Sequence, residues 1–166
     1  HGQAGALALQ GIVIRGQLVV QGSELRIDRC LFEGSRGADK GGALDIRSGA
    51  VLASDTDFVN NTALRGGAVH MDGGAAGFSA CRFSLNAASD DRGGAMYVHR
   101  GRVDLRDACS LFDNTAASQT ESLQIASGLG SVTYHLPAPR GYWVESFGTK
   151  TAQLRPKPEG DYPHTE

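Results

Sequence analysis

Helical periodicity is missing from this sequence: no i, i+3, i+4 apolar stripe survives for more than a turn, which excludes helical bundles and helical repeats. Long hydrophobic runs are missing as well. The most apolar stretch, Gly11 to Val20, is broken by Arg15 and Gln17, and a membrane-spanning helix needs ~20 apolar residues, so no direct membrane span is expected. Charge of one sign is scarce. With 16 Lys and Arg against 18 Asp and Glu the formal charge is −2, which leaves no footprint for nucleic acid or an anionic membrane surface. Proline is absent before residue 137, whereas Gly numbers 23 in 166 residues. That balance argues against collagen-like or proline-rich disordered chains and for many tight turns. Cysteine is limited to Cys30, Cys81 and Cys109, an odd and widely spaced set that makes no disulfide framework, zinc knuckle or Cys-x-x-C motif. No motif implies a metal or cofactor. The chain opens at His1 without a charged-then-apolar leader, and its length fits one domain.

What is present is repetition. Gly41-Gly42-Ala43-Leu44, Gly66-Gly67-Ala68-Val69 and Gly93-Gly94-Ala95-Met96 recur at spacings of 25 and 27. Each is paired with a second signature, in Phe58-Val59-Asn60-Asn61, Phe83-Ser84-Leu85-Asn86 and Leu111-Phe112-Asp113-Asn114. A weaker copy precedes them at Phe32-Glu33-Gly34-Ser35, and a degenerate one follows at Ser122-Leu123-Gln124-Ile125. About five repeats of 25 to 28 residues cover residues 7 to 130.

Within each repeat the apolar residues alternate with period two, the signature of a strand. Three tracks fit. The first runs Leu18-x-Val20, Leu44-x-Ile46, Val69-x-Met71, Met96-x-Val98 and Leu123-x-Ile125. The second runs Leu7-x-Leu9, Leu25-x-Ile27, Val51-x-Ala53, Ala76-x-Phe78 and Val103-x-Leu105. The third runs Ile12-x-Ile14, Cys30-x-Phe32, Thr56-x-Phe58, Cys81-x-Phe83 and Cys109-x-Leu111. Three inward tracks at matching offsets predict an all-β fold, a single right-handed parallel β-helix of about five to six rungs with an extended C-terminal tail. A leucine-rich repeat would need a Leu-x-x-Leu-x-Leu frame that is absent, and a β-sandwich would not repeat its offsets. Stacking like on like then predicts an aromatic stack of Phe32, Phe58 and Phe83, and an amide ladder of Asn61, Asn86 and Asn114. The double glycines are expected to supply corners with φ > 0, the asparagines are expected to tolerate the same conformation, and Ala43, Ala68 and Ala95 let the chain turn close to the core.

Gly-Gly-Ala with Phe-x-x-Asn at this period resembles the repeat of the chlamydial polymorphic outer membrane proteins, which is also found in large surface proteins of bacteria and single-celled algae. The resemblance covers about residues 30 to 117. It implies a pectin-lyase-like β-helix used for adhesion and surface display, with no shared catalytic residues. It also implies an extracellular or cell-surface location, with an organelle lumen after removal of a targeting sequence as the alternative. The segment Tyr134-His135-Leu136-Pro137-Ala138-Pro139-Arg140-Gly141-Tyr142-Trp143-Val144 is similar to the Leu-Pro-Ala-Pro-x-Gly-x-Trp stretch that closes such repeats in microalgal proteins.

Composition changes sharply after the repeats. All 5 prolines and the single Trp lie beyond residue 136, so the chain divides into a β-helix over 1–133 and a Pro-rich tail or end cap over 134–166. Pro137, Pro139, Tyr142 and Trp143 are the candidate binding residues of that tail, either for a protein partner or for the open end of the solenoid itself.

Chemistry has few candidates. Aligning the rungs places Asp45, His70 and Tyr97 in one outward column and Arg47, Asp72 and His99 in the next, with Asp72 positioned to pair with both Arg47 and His99. An Asp-oriented histidine is a candidate general base, which would make the chain a carbohydrate-active enzyme of the polysaccharide lyase or hydrolase kind. The same column also reads as a surface ion ladder. Asp90 and Asp91 share a long turn, a candidate Ca²⁺ or acid–base pair that equally reads as a solvated loop. The cysteines read as small buried apolar residues, His135 carries no motif, and Asn60-Asn61-Thr62 is a glycosylation sequon set in the asparagine ladder. The favoured function is a noncatalytic structural or interaction module, a segment of a surface protein or an accessory subunit of a larger assembly. Its partners would be proteins, with a glycan as a further candidate.

Overall fold

The computed structural model describes residues 5–37, 39–90, 92–117, 122–126 and 129–135, and the backbone of 142–144 and 154–156. Among them there is no helix, and the strands before residue 135 pair in parallel. The architecture is a parallel β-helix. Leu18, Leu44, Val69, Met96 and Leu123 are successive ladder partners, and their spacing defines about four complete turns with partial coils at both ends. The five to six rungs expected from the repeats count those partial coils.

The largest sheet holds the first two tracks. Its second track stacks Ala6–Gln10, Ser23–Asp28, Gly49–Ser54, Val69–Ser79, Met96–Arg106 and Gly130–Tyr134. Its first track stacks Leu18–Val20, Leu44–Ile46, the start of Val69–Ser79, the start of Met96–Arg106 and Leu123–Ile125. A second sheet orders Val13–Ile14, Leu31–Glu33, Asp57–Val59, Arg82–Ser84 and Ser110–Phe112. A third, shorter sheet carries Thr62–Ala63, Ala87–Ala88 and Thr115–Ala116. Every register expected from the three alternating tracks is present.

Burial follows the inward offsets. Leu44, Ile46, Val51, Val69, Met71, Met96, Val98 and Val103 are fully buried, as are Ala43, Ala68 and Ala95 at the corners. Phe32, Phe58 and Phe83 stack face to face, with centroids 4.9 and 4.6 Å apart and rings within 9° of parallel. Phe78 from the second track closes on this stack edge-on, 5.2 Å from Phe83 and 5.9 Å from Phe58. The tube is less closed at its N-terminal end: Leu7 and Ile12 point inward by register yet stay exposed, and no coil among the described residues lies above them.

The double glycines serve two needs. The first of each pair, Gly41, Gly66 and Gly93, has φ of +56°, +61° and +61°, which side chains other than glycine adopt at a cost. The second answers to close approach, since a Cβ on Gly42 would stand 2.3 Å from the Gly67 carbonyl oxygen. The asparagine corner departs from expectation. Its left-handed residues are Gly34, Asn60, Leu85 and Asp113, each one before the ladder position, while Asn61, Asn86 and Asn114 keep negative φ. The reason is directional: the corner residue turns the chain, and the next residue then aims its amide into the tube. A further left-handed corner, at Gly11, Arg29, Asp55, Ala80 and the pair Asp107 and Ala108, carries glycine on its first rung alone.

Beyond the solenoid, Tyr142–Val144 and Leu154–Pro156 form an antiparallel two-stranded ribbon. Its second strand runs beside Ser110–Phe112, the last strand of the second sheet, which is where an end cap would sit. Pro137 and Pro139 and the side chains of Tyr142 and Trp143 lie outside the described residues.

Candidate functional site

The asparagine ladder is the most fully bonded polar feature inside the tube. The side-chain Oδ1 of Asn86 accepts from the backbone N–H and the side-chain amide of Asn61, both at 3.0 Å. Its own amide donates to Phe58 O and to Asn114 Oδ1, both at 2.9 Å. Asn61 and Asn114 repeat the pattern, with donors on Phe32 O and Phe83 O at 3.0 Å. Ser35 stands in for the fourth asparagine and donates its N–H to Asn61 Oδ1 at 3.0 Å. All three asparagines are fully buried. The ladder is thus structural. The sequon acceptor Asn60 is not a member of it: Asn60 lies exposed at the left-handed corner just before Asn61.

The first outward column is ordered as the rungs predict, with Asp45, His70, Tyr97 and Gln124 as successive ladder partners. It is not outward in the sense of solvated. His70 is 2% exposed, Asp45 2% and Tyr97 8%, because side chains from the flanking corner lie over the column. Arg47 Nε donates to Asp45 Oδ2 at 2.8 Å, the Arg92 guanidinium sits 5.8 Å from the centroid of the Tyr97 ring, and the His99 ring tilts against the same tyrosine. Beneath that cover His70 Nδ1 lies 3.2 Å from Asp45 Oδ1, and the His70 and Tyr97 rings are 5.6 Å apart. Burial pushes the Asp45 carboxyl up, but the bonds from His70 and Arg47 outweigh it and hold the group below the ordinary carboxylate range.

The second column, Arg47, Asp72 and His99, is only partly assembled. His99 Nε2 is 3.8 Å from Asp72 Oδ1, an ion-pair distance beyond hydrogen-bond reach. Arg47 does not join them: its guanidinium turns back two residues to Asp45. Lys40 Nζ takes its place, 3.8 Å from Asp72 Oδ2. The physical cause is the corner between the two tracks of the largest sheet, where the ladder shifts register on either side of Asp72 and pairs it with Arg100 instead of His99.

The remaining candidates fall elsewhere. Asp90 lies between two guanidiniums, 3.3 Å from Arg65 and 3.7 Å from Arg92, and Asp91 is outside the described residues. Among the described residues no three of His, Cys, Asp and Glu come together as a metal-holding group, and no helix is long and apolar enough to cross a membrane. His135 is exposed and donates its backbone N–H to Leu105 O. Cys30, Cys81 and Cys109 are buried thiols, as their inward offsets predict.

The feature missed in the sequence is a groove of about 710 Å³ on the outer face of the second track. Its floor is Ala50, Ala75 and Gly77, with Leu52 half exposed at its centre. Arg26, paired with Glu24, stands on one side; Arg102 and Arg106, which share the Asp104 carboxylate at 3.5 and 3.6 Å, stand on the other. The signal was there to read: outward positions of this track, normally large and polar, carry Ala50, Ala75 and Gly77 on neighbouring rungs. No known protein family, curated protein or solved structure matches the chain.

Proposed function

We propose that the chain is a noncatalytic interaction module, a rigid β-solenoid that offers its outer sheet face to a protein partner within a larger assembly. The observation that carries this reading is the groove over Leu52 and Gly77. Small residues on adjacent rungs leave room there for an extended segment, and charge pairs border it on both sides. Among the described residues its lining has no histidine, Asp28 is bonded to Ser54 and Arg29, and Asp104 is held between two arginines. The histidines of the outer columns lie away from it: His70 is sealed, and His99 sits with Asp72 at an irregular corner outside the groove. An extracellular or surface setting fits the resemblance to polymorphic outer membrane protein repeats, and the Tyr142 and Trp143 segment is a second contact region for such a partner.

The test uses immobilised full-length chain to select from a displayed peptide library. Wild type should enrich a consensus with an apolar centre, Leu52→Glu should lose that enrichment, and Asp72→Ala should keep it. Removal of residues 145–166 separates the roles of the tail: loss of partner binding at an unchanged melting point makes it a contact region, and a lowered melting point with binding intact makes it a cap. Polysaccharide cleavage by the purified chain, abolished by Asp72→Ala or His99→Ala, would overturn the noncatalytic reading.

A further inference from the structure

We propose that Cys81 and Cys109 are a disulfide-forming pair, closed by hydroperoxides, that staples the last strand of the second sheet to the strand before it. Both face inward at the same offset of the third track. Arg82 and Ser110 are ladder partners, and Ser110 N–H bonds to Cys81 O at 3.0 Å, so the two cysteines occupy neighbouring positions one rung apart. A ladder step is about 4.8 Å, inside the roughly 4.4–6.8 Å that a disulfide requires between Cα atoms. The sulfurs are already close to each other's residues. Cys109 Sγ accepts the Cys81 backbone N–H at 3.3 Å, and that nitrogen is two bonds from Cys81 Cβ, so rotation about χ1 of Cys81 brings the two sulfurs together.

The register also singles out this pair. Cys30 belongs to the same track, but Thr56 intervenes between it and Cys81, and its hydroxyl accepts the Cys30 N–H at 3.2 Å. Cys30 and Cys81 therefore stand two rungs apart, about 9.6 Å, beyond what a disulfide spans.

Cys109 is the attacking group. The hydrogen bond from the Cys81 thiol holds the Cys109 thiol below its ordinary range, against burial, and the Cys81 backbone N–H adds to the effect. That bond and burial push Cys81 the other way. Ser110–Phe112 is also the terminal strand of its sheet among the described residues, with Leu154–Pro156 of the ribbon beside it, and local opening of that end admits a molecule as small as hydrogen peroxide. The Cys109 thiolate attacks one peroxide oxygen, the O–O bond breaks, and the departing hydroxide takes up the proton of the Cys109 thiol as water. The Cys81 sulfur then attacks the resulting sulfenic sulfur; the S–O bond breaks, the S–S bond forms, and the second hydroxide leaves as water with the Cys81 proton. Two thiols lose two electrons and one peroxide gains them.

The experiment exposes the full chain to excess hydrogen peroxide, alkylates the remaining thiols without reduction, and maps the peptides by mass spectrometry. A Cys81–Cys109 linked peptide two hydrogens lighter should appear with Cys30 alkylated, and the melting midpoint should rise by roughly 5–10 °C and return on reduction. Cys81→Ser should abolish the rise and leave Cys109 as a sulfinic or sulfonic acid, whereas Cys30→Ser should change nothing. As a register control, Thr56→Cys should bring Cys30 into a disulfide. A wild-type disulfide that includes Cys30, linkage only between chains, over-oxidised Cys109 beside an intact Cys81 thiol, or two unreacted thiols would each overturn the proposal.

Discussion

Two columns run along this solenoid, and they reach burial by opposite routes. The inner column repeats one residue: Asn61, Asn86 and Asn114 stack with the same side chain and the same corner, and each amide donates to a phenylalanine carbonyl and to a side-chain oxygen of the next rung. The outer column repeats nothing, yet Asp45, His70 and Tyr97 are almost as deeply buried. In the first, every rung satisfies the rung beside it, so the pattern extends with the chain. In the second, a single axial bond between His70 and Asp45 is joined by contacts from the side, Arg47 on Asp45 and Arg92 over Tyr97. A repeated ladder is therefore cooperative along the axis, and the mixed column is a local cluster that a single flanking side chain can open.

The largest effect should come from the inner repeat. Phe58 lies between Phe32 and Phe83 and also meets the edge of Phe78, so Phe58→Ala should cost about 3–5 kcal/mol in urea unfolding. Asn86→Ala should come close to it. It strands the N–H of Asn61, one hydrogen of the Asn61 amide and the carbonyl of Phe58 in a dry interior, while Asn114 Oδ1 keeps the backbone N–H of residue 86, and a single stranded group costs roughly 1–3 kcal/mol. A loss under 1 kcal/mol for Asn86→Ala would mean that water enters the ladder and that the axial cooperativity is not there.

These two columns also explain what the sequence makes visible. Period-two alternation and the recurrence of Gly-Gly-Ala were enough for the three tracks, their register, the phenylalanine stack and the amide bonds, since each depends on a residue and its copy one turn later. The left-handed corner at Arg29, Asp55 and Ala80 is marked by glycine only on the first rung, at Gly11, so it does not recur as a motif; on the later rungs the cost of φ > 0 is offset by the packing around it and not by local preference. The burial of His70 was invisible for a related reason. Alternation assigns His70 to the outer face, and the lateral placement of Arg47 on Asp45 and of Arg92 and His99 on Tyr97 cannot be read from it. The Arg47 to Asp72 pairing failed at the corner where ladder register shifts, a feature that counting residues from rung to rung cannot show.

Acid should distinguish the columns next. The inner ladder has no group that titrates, whereas the Asp45 carboxyl is held below its ordinary 3.8 by His70 and Arg47 despite burial. A depressed carboxyl stabilises the fold fully above the ordinary value, and that contribution is lost as pH falls through the folded-state value. Wild type should therefore lose urea resistance between about pH 5 and pH 2, and Asp45→Asn should be weaker at neutral pH but flatter across that window. At neutral pH the substitution should cost about 2 kcal/mol, the scale of hydrogen bonds to a charged group. Equal slopes for the two proteins would remove Asp45 from the account. Asp28 also titrates low, chiefly through the Ser54 hydroxyl and Arg29, but it is solvated and should add little.

The smallest effect belongs to Asp72, and its smallness is informative. The register shift pairs Asp72 with Arg100 in place of His99, and its ion-pair partners His99 and Lys40 stand 3.8 Å away with all three side chains about one-third exposed. An ion pair of that kind contributes about 0–1 kcal/mol, so Asp72→Ala should shift the urea midpoint barely, and added salt should erase even that difference. Arg47→Ala makes the matching control one residue column away. It removes a 2.8 Å bond to a buried carboxylate and uncovers Asp45, so its cost should exceed that of Asp72→Ala and should persist in salt. If instead Asp72→Ala proved the more damaging of the two, the corner would be acting as a coupled network, and the division between an axial ladder and a laterally roofed cluster would have to be redrawn around Asp72.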